Sequence, residues 1–163
     1  MVDAYRETDF NLSLEERVQA YLTSIISDAA YEGFDSGPLR HTEFIAVSAE
    51  EQTIQFKFRV LEFMCNKDGN LHGGAASTIF DNLSSTALFT IGRPGFWDNL
   101  GVTRSLSVVF HRPLPMNISV ILTSSVVSAG RRLADIQAVI KTLDGKVCAT
   151  CRHEKVRVVT PKL

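Results

Sequence analysis

Apolar positions along the chain change their period twice. Leu14, Val18, Leu22, Ile25, Ile26 and Ala29 recur at helical spacing, and Ser13-Leu14-Glu15-Glu16 before them reads as a capping box with Glu16 reaching back to Ser13. This predicts a helix over 13–34, ended by the stretch from Gly33 to Pro38 and preceded by a loose 1–12. Its apolar stripe must dock, either on the outside of a sheet or over one end of a cavity. From Thr42 the period falls towards two, predicting strands at 42–49 and 53–63. In the second, Ile54, Phe56, Phe58 and Val60 alternate with Gln55, Lys57 and Arg59. After a turn-rich 66–70, helical spacing returns in Ala76, Ile79, Phe80, Leu83 and Ala87 and runs to Gly92. Four more strands follow at 100–111, 118–128, 133–143 and 147–158. Asp144-Gly145 makes a hairpin between the last two, and Gly130-Arg131-Arg132 turns the chain before them. Helix, two strands, long helix, four strands predict one α+β domain, an antiparallel sheet folded around the central helix.

The second face of that central helix carries the chemistry. Ser77, Thr78, Asp81, Ser84 and Ser85 fall on one stripe. Between Gly73 and Gly92 the only charged residue is Asp81, where a chain with 21% charged residues would place roughly four. Such a helix is expected to be covered on both faces. Asp81 is then either held in a protected polar cleft or is a core carboxylate satisfied by neighbouring serines.

Composition narrows the function classes. A chain of 163 residues with 45% hydrophobic content can bury one core. A net charge of -1 and a pI near 6.4 give no global attraction to nucleic acid or acidic membranes. The polar, acidic N-terminus does not read as a secretory signal, and seven Ser, Thr, Asn or Asp positions from Ser77 to Thr86 exclude the central helix as a membrane span. A cytoplasmic protein is expected. Pro161-Lys162-Leu163 is either chance or a degenerate form of the peroxisomal tripeptide Ser-Lys-Leu. Three cysteines argue against a disulfide framework, and Cys148 and Cys151, three apart in a strand, should point to opposite faces, which disfavours a metal or redox pair.

Gly73-Gly74 at a helix start presents bare backbone N–H groups at the positive end of the dipole. Two glycines can also be no more than a tight turn. If they bind an oxyanion, a thioester or ester carbonyl docked at the Gly73 N–H is polarised as a tetrahedral intermediate forms, with His72 as second donor or as the residue fixing the turn. Eight residues separate Gly73 from Asp81, roughly 12 Å of helix, whereas a base must come within about 3 Å of the group it serves. If both act in one reaction, Asp81 comes from a second copy, with the two helices antiparallel about a two-fold axis.

Asn66, the His72-Gly73-Gly74 motif and Asp81 nine residues after the histidine resemble the signature of hotdog-fold acyl-CoA thioesterases of the 4-hydroxybenzoyl-CoA thioesterase superfamily. The likeness is to the phenylacetyl-CoA (PaaI-type) branch and its mammalian acyl-CoA thioesterase relatives. The resemblance covers a hotdog core over 42–158, with 13–34 as an accessory helix. It implies hydrolysis of acyl-CoA at sites shared between two protomers of a homodimer, with dimers pairing into tetramers. Coenzyme A enters as part of the substrate, and no metal or separate cofactor is needed. By the same resemblance Gly73 and His72 polarise the carbonyl, Asp81 of the partner is general base or nucleophile, Asn66 positions water or substrate, and Thr103 supplies a hydroxyl beside the carboxylate. His111, Arg112 and Pro113, and the turn with Ser128, Gly130, Arg131 and Arg132, correspond to regions that cradle coenzyme A. Arg131 and Arg132 are otherwise a solvated hairpin tip. The loop holding Phe96 and Trp97 is a few residues longer than in those relatives, and is either a lid or a core plug. Two other readings stay open: action on carrier-bound acyl chains in a lipid or polyketide pathway, and non-catalytic acyl binding.

Overall fold

Ser13 starts the first helix as its spacing predicts. In the computed structural model, which describes residues 7–158, α1 spans Leu14–Ile26. The Glu16 carboxylate accepts the Ser13 N–H at 2.7 Å, and the Ser13 hydroxyl accepts the Glu16 N–H at 3.3 Å. The helix stops at Ser27 rather than at 34. Asp28 accounts for this, because its carboxylate takes the Ala30 N–H and its carbonyl the Tyr31 N–H, offering the backbone a turn in place of the next helical bonds. A short α2, Ser36–Arg40, follows. Val18, Tyr21, Leu22 and Ile25 are buried, whereas Ile26 and Ala29 are exposed. Residues 7–12 are not loose. The Thr8 N–H donates to Asp98, and the Arg17 guanidinium lies 4.9 Å over the Phe10 ring while bonding the Phe10 and Leu12 carbonyls. Pro161-Lys162-Leu163 lies outside the described residues.

Six strands form one antiparallel sheet: β1 Thr42–Ser48, β2 Thr53–Arg59, β3 Val102–Phe110, β4 Ser119–Ala129, β5 Leu133–Thr142 and β6 Val147–Val156. Their order is β1-β2-β4-β5-β6-β3. β2 ends at Arg59, short of 63, where the chain tightens into a 3₁₀ turn at Glu62–Met64. The central helix α3, Gly73–Ser85, lies against β3 to β6. Ile79, Phe80 and Leu83 of α3, Phe56 of β2, Leu122 of β4 and Ile136 and Ile140 of β5 are all fully buried. Removing each from water contributes about 2 kcal/mol. α1 sits over the far end of this layer, with the Tyr21 ring edge-on to Phe89 at 6.1 Å.

Helical spacing was expected to continue to Gly92, but α-helix gives way after Ser85 to a 3₁₀ segment, Thr86–Thr90. Hydroxyls cause the tightening. Thr86 and Thr90 donate to carbonyls three residues back, at 2.5 and 2.7 Å, which favours the narrower winding. Two strand irregularities also matter. Pairing of β5 with β6 slips between Ile140 and Lys141, a bulge at Cys148, and Cys148 and Cys151 are both buried in spite of their odd offset. Pairing of β3 with β6 slips between Thr103 and Ser105. Finally, Trp97 is the core plug: 1% exposed, it donates its indole N–H to the Gly130 carbonyl at 2.9 Å. Phe96 is half-buried, with the Arg93 guanidinium 4.3 Å from its ring.

Candidate active site

His72 caps α3 with its ring, Nδ1 accepting the Gly74 N–H at 2.9 Å, so the imidazole fixes the turn. The Gly73 N–H has no acceptor among the described residues. An uncapped donor at the positive end of a helix is suited to a carbonyl oxygen that gains charge. Asn66 stands beside it through a loop of its own making. Its side-chain oxygen accepts the N–H groups of Asp68 and Asn70 at 3.0 and 3.1 Å, which leaves the amide NH₂ for a ligand. Asn66, Gly73, His111, Arg112 and Pro113 line one cavity of about 390 Å³. The main chain of Arg112 and its guanidinium are anchored on the carbonyls of Cys148 and Val147.

Asp81 lines a different cavity, of about 640 Å³, together with Tyr21, Asn82, Ser85, Thr103 and Lys155. One chain therefore brings Asn66 to Gly73 and Thr103 to Asp81 but does not bring the two pairs together. Asp81 is less enclosed than expected: its side chain is 42% exposed, and Ser77, Thr78 and Asn82 on the same flank are only partly covered. Ser128, Gly130, Arg131 and Arg132 line neither cavity and sit at the solvent-facing β4–β5 turn.

Below Asp81 lies a network that the sequence reading missed. Thr103 Oγ1 is 2.5 Å from Asp81 Oδ1 and 2.9 Å from His153 Nε2, and His153 Nδ1 is 2.7 Å from Ser84 Oγ. Thr103 has one hydroxyl hydrogen, and a carboxylate can only accept it. His153 Nε2 must then carry a proton to satisfy the Thr103 oxygen, and Nδ1 accepts from Ser84. Every donor in the row is directed towards Asp81, and Oδ2 is left for a water molecule. His153 is fully buried, and burial, followed by the Lys155 charge, lowers its pKa to about 4 against a smaller opposing pull from Asp81. At neutral pH the ring is uncharged. Its 3.4 Å approach to Oδ1 is therefore a polar contact rather than an ion pair. Burial also raises the Cys151 thiol to about 12, with Asp81 adding to the effect, so this cysteine stays protonated.

The bulge in β3 makes the network possible. Thr103 pairs with Lys155 and Leu106 with His153; residues three apart in a regular strand would face opposite sides, and the extra residue at Arg104 brings Thr103 onto the inner face. A signal for His153 and Lys155 was present in the sequence. The alternation Ala134, Ile136, Ala138, Ile140 marks the inner face of β5, and pairing through Asp144-Gly145 carries it to Cys151, His153 and Lys155 on β6.

The profile of the thioesterase superfamily matches residues 68–149. The chain belongs to that family. Acyl-coenzyme A thioesterase 13 of Mus musculus is 30% identical over 111 residues, which cover 67% of this chain and 76% of that protein. Zebrafish thioesterase superfamily member 2 shares the fold, with a TM-score of 0.73 at 23% identity over 89% of this chain and 98% of its own. A Streptococcus mutans protein solved bound to acetyl-CoA superposes with a TM-score of 0.62 at 17% identity, over 71% of this chain and 88% of its own. The thioesterase match contains Gly73, Asp81 and Thr103 and ends before His153 and Lys155. Among the described residues no group of His, Cys, Asp and Glu is arranged to hold a metal ion, and no helix is long and apolar enough to cross a membrane.

Proposed function

We propose that this thioesterase hydrolyses acyl-CoA, with each site assembled from the Gly73 end of α3 in one copy and Asp81 in another. The observation that carries this reading is the pairing of an uncapped Gly73 N–H with a Thr103-fixed carboxylate in separate cavities of one chain. The thioester carbonyl sits at the Gly73 N–H with Asn66 beside it. Asp81 Oδ2 takes a proton from water as the water oxygen attacks the carbonyl carbon, or attacks directly as nucleophile to give a mixed anhydride that water then hydrolyses. The tetrahedral oxyanion is held by the helix N-terminus and collapses with loss of the coenzyme A thiolate, which is protonated to the thiol. The open edge of β3, which has β6 as its one neighbour and carries exposed Val102, Val109 and Phe110, supports pairing with a second copy. The name of the mouse relative and the acetyl-CoA in the Streptococcus structure support coenzyme A as the carrier.

The test is an acyl-CoA panel read with a thiol reagent. Free coenzyme A should appear above background, and Asp81→Ala should lower kcat by about 10²-fold or more. Gly73→Pro removes the donor. Gly73→Pro and Asp81→Ala chains, each nearly inactive alone, should on mixing recover up to half the wild-type activity per heterodimer, since one of two sites is then intact. Heterodimers that form without recovering activity rule out the shared site.

A further inference from the structure

We propose that Lys155 is a positioning residue for the Asp81 reaction, a buried ammonium that clamps Asp81 from two sides through two hydroxyls. The inference rests on the acyl-CoA hydrolase reading above. Lys155 Nζ donates to Ser85 Oγ at 2.8 Å, and Ser85 Oγ donates to the Asp81 main-chain carbonyl at 2.6 Å. On the other side Nζ lies 3.4 Å from Thr103 Oγ1, whose hydrogen goes to Asp81 Oδ1. An ammonium can only donate. It therefore fills acceptor sites on both hydroxyl oxygens and obliges their hydrogens to point at Asp81, one to its backbone and one to its carboxylate. The Ser85 link holds the last turn of α3 where the winding tightens, and the Thr103 link holds the bulged strand.

A structural role alone explains this lysine poorly. It is 4% exposed, and among the described residues its ammonium forms no direct ion pair. An apolar side chain of similar length would remove the cost of burying that charge. The titratable groups around it are Asp81 on α3, His153 and Cys151 on its own strand, and Tyr21 and Glu7, which line the same cavity. Burial lowers its pKa to about 8, with Asp81 acting against the shift. The charge is present below that pH and is lost above it.

The experiment compares Lys155→Met and Lys155→Arg with the wild type. In Lys155→Met, kcat should fall about 10- to 100-fold with KM within a factor of about 3, because a displaced base costs rate rather than binding. Its melting temperature should stay level or rise. Wild-type kcat, corrected for background hydrolysis, should decline above about pH 8. Lys155→Arg keeps a charge at all accessible pH and should move that decline upward. A second readout needs no turnover: NMR titration of the His153 imidazole, whose midpoint should rise from about 4 in Lys155→Met and not in Lys155→Arg. An unchanged kcat in Lys155→Met, or a decline that stays in place in Lys155→Arg, overturns the proposal. If the wild type releases no coenzyme A, the hydrolase reading fails on its own, and an unmoved His153 midpoint then overturns the clamp independently. Should Lys155→Met not fold, the Lys155→Arg profile decides.

Discussion

The Thr103 hydroxyl lies 2.5 Å from Oδ1 of Asp81, on a strand whose regular alternation would have turned it away. One inserted residue at Arg104 thus decides whether β3 offers the carboxylate a hydroxyl. Thr103→Val keeps the shape and removes the hydroxyl, leaving Oδ1 and His153 Nε2–H only their longer 3.4 Å contact with each other. It should lower kcat about 10- to 100-fold, whereas Thr103→Ser should retain most of the rate. Steady-state kinetics of the two variants on one acyl-CoA checks this. Equal rates would remove Thr103 from the site.

His153 should make the fold sensitive to acid. Its folded pKa of about 4 lies below the ordinary histidine value of 6.5. As pH falls from about 6.5 to about 4, the unfolded ring takes a proton that the folded ring refuses, so stability is lost in that window. The loss is on the order of 3 kcal/mol at 1.36 kcal/mol per unit. Above pH 6.5 neither state is protonated, and the dependence vanishes. Urea titrations at pH 7 and 4.5 should show a smaller difference for His153→Gln than for the wild type.

Arg112 and the Arg131-Arg132 turn should be separable by mutation. Arg112 lines the Gly73 cavity, while Arg131 and Arg132 are exposed at the β4–β5 turn. If all three meet coenzyme A phosphates, Arg112→Ala and Arg131→Ala/Arg132→Ala should each raise KM about 3- to 10-fold with kcat unchanged, as expected for contacts made equally before and during reaction. An unmoved KM in the double variant makes Arg131 and Arg132 a hairpin tip only.

Trp97 should matter to stability and not to substrate choice. The ring is buried and holds the 93–101 loop to Gly130. Trp97→Ala should cost about 3–5 kcal/mol, and Trp97→Phe less, since Gly130 lies in an exposed turn where water can replace the indole N–H. Ranking of acyl-CoA substrates by kcat/KM should be the same for Trp97→Phe as for the wild type. A changed ranking would restore the lid.

The Ser13 capping box, the alternating strands and the isolated charge of Asp81 were legible because each is a local pattern on one element. What escaped notice depends on comparisons between elements. Nothing within 100–111 announces the bulge at Arg104, since a strand with polar Thr103, Arg104, Ser105 and Ser107 has no strong alternation to break. Helical spacing continues through Ala87 and Leu88, so the tightening after Ser85 is hidden by an apolar pattern that both windings satisfy. His153 and Lys155 read as ordinary strand polarity until β5 fixes which face is inside.

Gly73 at the start of α3 and Asp81 eight residues along it line separate cavities. On the shared-site reading, catalytic capacity follows mass action. Below the dissociation constant of the pair, the rate grows with the square of chain concentration, so halving the amount of protein removes three quarters of the activity. Expression level, and any binder that covers β3, would then set the turnover of the whole pool without touching a single catalytic group.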